Sequence, residues 1–120
     1  MQYMLLIHSD ESVYPKMSEA DTKKLMDDYW KFTEDLQKAG ALVASHRLQP
    51  TQTATTVRVR KGETMMTDGP FAETKEQFGG YYLIEAKDLD EALKWAARIP
   101  TAKYGSVEVR PIWDMSGEGA

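Results

Sequence analysis

Met4, Leu5, Leu6 and Ile7 are apolar without alternation, which predicts a strand over residues 2 to 8 whose two faces are both covered. A half-exposed strand would alternate. From residue 18 to 39 the period changes: Leu25, Tyr29, Phe32, Leu36 and Ala39 recur at helical spacing, with Ser18 placed as an N-cap and Gly40 as a C-terminal glycine. Residues 41 to 48 and 54 to 60 read as strands, the second turning Val57 and Val59 inward against Arg58 and Arg60, and Lys61-Gly62 turns the chain into Thr64–Thr67. Tyr81 to Ala86 form a further strand, apolar on both faces through Tyr81, Tyr82, Leu83 and Ile84. Asp88 caps a second helix with Glu91 in capping-box position, and Pro100 follows its end. Residues 105 to 113 give the last strand, and Ser116 to Ala120 read as a flexible tail beyond a single domain of residues 1 to 115.

This element order predicts an α+β fold, a ferredoxin-like sandwich with an added β-hairpin. Two helices cover only one face of such a sheet. A second copy covering the other face would form a closed two-fold homodimer, with room between the sheets for a small-molecule pocket.

Composition narrows the function classes. The 120 residues suit one domain with a real core, and a net charge of −4 with scattered Lys and Arg argues against direct nucleic-acid binding. The absence of cysteine removes disulfides, thiolate metal sites and thiol nucleophiles, and it is compatible with a cytoplasmic setting. The apolar run at Met4–Ile7 is far below the roughly 20 residues of a spanning helix, so no membrane association is expected.

One connection stands apart: Asp68-Gly69-Pro70-Phe71-Ala72-Glu73-Thr74-Lys75-Glu76-Gln77-Phe78-Gly79-Gly80. Asp68 can bond the backbone two residues ahead, Gly69 tolerates unusual angles and Pro70 fixes its own φ, giving a rigid acidic turn. Phe71 would anchor this turn to the core, with Glu73, Lys75 and Glu76 on a short loop or helical turn, while Gly79-Gly80 permits a bulge or a close backbone approach. The run resembles the defining motif of the DGPF-domain proteins, a branch of the YCII-related family, and the likeness extends from Met1 to about Met115. The resemblance implies a dimeric α+β barrel. It also implies a regulatory setting, since such domains are often encoded near alternative sigma factors. A histidine in the first helix and an aspartate before a proline after the second have been proposed to act in the wider family. Here residues 18 to 39 hold no histidine and Ile99 precedes Pro100, so that pair is not carried over.

His8 and His46 are the only histidines, and the chain has neither an HxH nor an HExxH spacing, so no metal or other cofactor is expected. As catalytic candidates Asp68 could act as a base if desolvated, and His46 could transfer protons near neutral pH. The ligand-binding candidates are Arg110, Glu108, Tyr81, Glu73 and Glu76. Glu108 and Arg110 share a strand face, either as an ion-pair network at a dimer seam or with Arg110 as an anion-binding fork. Tyr81 and Tyr82 point to opposite faces, so only one faces the space between sheets. Two kinds of function fit: a dimeric module binding a small organic acid or a regulatory protein partner, and a small-molecule enzyme using Asp68 for proton transfer or elimination.

Overall fold

The computed structural model describes residues 1–115. Its strands are β1 (Gln2–Ser9), β2 (Leu42–Arg47), β3 (Thr55–Arg60), β4 (Glu63–Asp68), β5 (Gln77–Glu85) and β6 (Ser106–Pro111), and its α-helices are α1 (Glu19–Lys38) and α2 (Leu89–Ala97). Short 3₁₀ turns add Glu11–Lys16, Thr51–Thr53 and Pro100–Lys103. Four strands form one sheet in the order β2-β5-β1-β6, every neighbouring pair antiparallel, and β3 pairs with β4 in a separate two-stranded sheet. The fold is α+β with an antiparallel sheet, in an order compatible with a ferredoxin-like sandwich that has a hairpin inserted between β2 and β5. The expected tail at Ser116–Ala120 lies outside the described residues.

Local chemistry explains both helices. Ser18 Oγ accepts from the Asp21 N–H at 3.0 Å, Gly40 closes α1 with φ +69°, and Lys23–Asp27, Lys24–Asp28, Lys31–Asp35 and Lys38–Glu34 pair one turn apart on its outer side. Asp88 accepts from the Glu91 N–H, and the Glu91 carboxylate returns to the Lys87 N–H, one residue before the cap. Phe32 and Leu36 from α1, with Ala92 and Ala96 from α2, bury Tyr3, Leu5 and Ile7 of β1 and Tyr82 and Ile84 of β5 in one core. Phe32 meets the Tyr82 ring edge-on, and the Tyr82 hydroxyl reaches Thr33 Oγ1 at 2.7 Å.

Within one chain, therefore, only one sheet face is covered. Burial along β1 alternates strictly, with Tyr3, Leu5, Ile7 and Ser9 buried and Gln2, Met4, Leu6 and His8 half-buried. The apolar run at residues 4 to 7 thus leaves Met4 and Leu6 half-buried on the face opposite the helices, over which no described helix packs. Val57 and Val59 face outward rather than inward, and Phe71, expected as an anchor, is 79% exposed, because the hairpin stands off the core and packs chiefly on itself. The resulting body measures 49 × 48 × 18 Å, with a radius of gyration of 16.7 Å. A compact chain of this length would have about 13.6 Å. It exposes 8822 Å², where a compact monomer of this mass exposes roughly 6,600 Å². The shape is a slab one sheet and one helix layer thick. Among the described residues, no helix is long and apolar enough to cross a membrane.

A hydroxyl cluster ties the top of β1 to the helices. Ser9 Oγ and the Tyr14 hydroxyl lie 2.7 Å apart, and the Tyr29 hydroxyl bonds Thr101 Oγ1, itself fully buried. Burial pushes the Tyr29 phenol up to about 12. An unfolded tyrosine ionises near pH ~10, so the stability from a neutral Tyr29 is complete below that value and is lost as pH rises from ~10 to about 12. Chemical denaturation at pH 9 and pH 11 should show a smaller loss of stability for Tyr29→Phe than for the parent chain. An equal loss would assign the alkaline transition to other groups.

Candidate functional site

Strand register lays out the uncovered sheet face in rows. Ala44, Leu83, Met4 and Arg110 lie side by side across β2, β5, β1 and β6, followed by His46, Tyr81, Leu6 and Glu108, and then by Phe78, His8 and Ser106. The centre is apolar and its margins are ionisable.

Two glycines create this arrangement. Ile7 faces Gly80 but His8 faces Phe78, so Gly79 is the extra residue of a β-bulge. Strict alternation would send Phe78 to the helix side. The bulge reverses it, placing the Phe78 ring 5.5 Å from that of His8 and turning Gln77 to face the buried Ser9, where its amide oxygen accepts from the Glu11 N–H at 2.9 Å. Gly80 serves the other side of β5. A Cβ there would lie 2.9 Å from the His46 carbonyl oxygen and 3.4 Å from the Arg47 Cα, so only glycine lets β2 approach at this register. β5 consequently begins at Gln77, four residues before the Tyr81 start expected from hydrophobicity, and residues 69 to 76 form an irregular loop without a helical turn.

The side chains fall into two hydrogen-bonded groups. His46 Nδ1 lies 2.8 Å from the Tyr81 hydroxyl across the β2–β5 pair, a separation suited to sharing a proton. On the opposite flank, Arg110 donates through Nε at 2.8 Å and also through Nη2 to a single Glu108 oxygen, while the other Glu108 oxygen lies 3.9 Å from His8 Nε2. Ser106, facing His8, donates to Glu76 at 2.7 Å. From strand spacing, the His8 and His46 Cα atoms stand about 12 Å apart, two strands and two residues distant.

The structure therefore brings together His46, Tyr81, Glu108 and Arg110, with Glu76 at the margin through Ser106. Tyr82 goes beneath the helices. Asp68 and Glu73 stand elsewhere. Asp68 ends β4 opposite Thr55, exposed, and the turn after it is held by a Gly69 N–H to Ala54 carbonyl bond of 2.7 Å and by Thr56 Oγ1 to the Gly69 carbonyl. Glu73 is exposed in the loop. His8 and Phe78 join the face without having been among the candidates. His8 follows Leu6 by two, which places it on that face, but Phe78 reaches it only through the bulge. Among the described residues no group of three His, Asp or Glu side chains could hold a metal. Two hollows of the chain lie on other surfaces, one of about 310 Å³ beside Met1, Gly40 and Trp95 and one of about 240 Å³ beside Lys24, Lys31 and Arg98.

An antiparallel α+β domain with a polar-rimmed open sheet defines a class of small, one-layer-covered domains. The YCII-related domain family model matches residues 1–116, and the chain belongs to that family. An uncharacterised protein of Rhizobium meliloti (strain 1021) is 44% identical to it over 114 residues, covering 93% of this chain and 92% of that protein.

The two glycines should respond differently to substitution. Gly79→Ala meets nothing within 4 Å and should change stability by under about 0.5 kcal/mol. Gly80→Ala should cost about 1–3 kcal/mol, because the new methyl collides with backbone. It should also separate His46 from Tyr81, read as a change in the His46 imidazole nitrogen shifts. Equal, small effects would show that β2 does not approach as described.

Proposed function

We propose that the chain acts as a homodimer in which the open sheet faces of two copies meet, closing a dimeric α+β barrel around a site for a small organic acid. The observation that carries this reading is the uncovered face itself, with Met4, Leu6, Leu83 and Tyr81 at its centre and His8, His46, Glu108 and Arg110 around it. Half-buried apolar side chains in one contiguous patch mark an interaction surface, and the 18 Å slab leaves them without cover. An isologous pairing would place two such faces opposite one another and supply the second wall that a pocket needs. A ligand bridging His8 and His46 would span on the order of 12 Å, the size of a small metabolite.

Arg110 already directs two donors to Glu108, so an acid ligand gains less from its guanidinium than from the histidines and the Tyr81 hydroxyl. A second reading is favoured by one observation. The His46–Tyr81 hydrogen bond is a ready acid–base pair, so the same face supports proton transfer on the bound acid, with His46 and Tyr81 in place of the outlying Asp68. A regulatory role would use the binding event without turnover.

Sedimentation across a concentration series should show a dimer that dissociates on dilution, with a melting temperature that falls in parallel. Leu83→Asp should yield monomers. A thermal-shift screen of aliphatic and aromatic carboxylates should find ligands whose effect is reduced in His46→Phe and Tyr81→Phe. Turnover that falls far more than ligand affinity in Tyr81→Phe would establish the enzyme. A parent chain that stays monomeric at high concentration would sink the dimer.

A further inference from the structure

We infer that the β3–β4 hairpin is an arm with which each copy clasps the body of a second copy of this chain, through the strip formed by Val57, Val59 and Met66. This inference rests on the dimer proposed above. Pairing sets Val57 opposite Met66 and Val59 opposite Thr64, so these three apolar side chains share one hairpin face, with exposures of 57%, 58% and 73%. The other face carries Arg58, Met65, Arg60 and Glu63. Every residue of β4 is exposed, and a two-stranded hairpin alone is marginal in water.

Area and charge both choose the occupant. Four strands of six to nine residues present on the order of 460 Å² of flat sheet. A stable interface of standard size needs about 800 Å² per partner. The chain exposes 8822 Å², on the order of 2,000 Å² above a compact monomer of its mass. The sheet face alone supplies too little contact, and the hairpin is a further unpacked apolar element among the described residues. It also leaves the sheet beside the proposed seam, since the Leu48 N–H still bonds the Gly79 carbonyl as β2 ends. Within Thr55–Asp68, Arg58, Arg60 and Lys61 outweigh Glu63 and Asp68, for a charge of +1, and with a chain total of −4 the remainder carries −5. A basic arm is drawn to the acidic body of a second copy rather than to another arm.

Neighbouring methionines give the test, because Met65 and Met66 lie on opposite faces and both are exposed, so aspartate at either leaves the protomer folded. Sedimentation equilibrium should show Met66→Asp weakening dimerisation at least about tenfold and Met65→Asp changing it no more than about twofold. Hydrogen exchange should show the hairpin amides protected in the dimer and unprotected on dilution. A dimer indifferent to Met66→Asp, or one with a freely exchanging hairpin, overturns the arm and leaves the sheet pairing standing. A parent chain that is monomeric throughout overturns the pairing and the arm together.

Discussion

Coverage on one side only is the constraint from which the rest of this molecule follows. Two helices and one four-stranded sheet make a single interface, and the core residues Tyr3, Leu5, Ile7, Tyr82 and Ile84 all project into it. Among the described residues, the opposite side chains of the same strands are at most half-buried. In an ordinary two-layer domain they would be polar, because an antiparallel sheet facing water alternates. Here Met4, Leu6 and Leu83 are not. The sequence has kept hydrophobic side chains where its own fold leaves them only half-buried, which is the pattern the proposed pairing of two copies would account for.

β5 is the strand on which the face is assembled. Lying between β1 and β2, it must satisfy two neighbours whose demands differ, and Gly79 and Gly80 meet them separately. The bulge at Gly79 takes up an extra residue against β1 and re-aims Phe78. The missing side chain at Gly80 admits the His46 carbonyl on the side of β2. Without the first, His8 would lose its aromatic neighbour. Without the second, His46 would stand away from Tyr81. The glycine pair thus sets where Phe78 and His46 stand through backbone geometry alone.

Much of this was legible in the sequence, and what was not failed for identifiable reasons. Ser18, Gly40, Asp88 and Glu91 mark helix ends because capping is local and reads directly from residue type. Glu108 and Arg110 were placed on one face by a period of two, and Tyr81 was separated from Tyr82 by the same rule. Gly79-Gly80 was read as a bulge or a close approach, and it provides both. The period of two also misled: a bulge breaks it, so Phe78 could not be assigned to the face of His8. Val57 and Val59 alternate as a buried strand would, yet face outward, because alternation reports which side chains share a face and not whether anything covers it. The acidic turn at Asp68 is legible as a rigid turn, and the Gly69 backbone bonds close the open end of the hairpin there.

The polar groups around the open face differ in how far they are already satisfied, and that difference orders what they can do. Arg110 already gives two donors to one Glu108 oxygen, so this corner is paired within the strand. His46 and Tyr81 pair with each other through one hydrogen bond across β2 and β5, and the exposed imidazole leaves its other ring nitrogen open to a ligand. His8 lies between these situations, its ring tilted against that of Phe78 and its Nε2 3.9 Å from a Glu108 oxygen. Closing a second sheet over this surface would strengthen each interaction by excluding water. A self-paired rim also lowers the desolvation cost of that closure, because few of its groups must give up solvent without a partner in place.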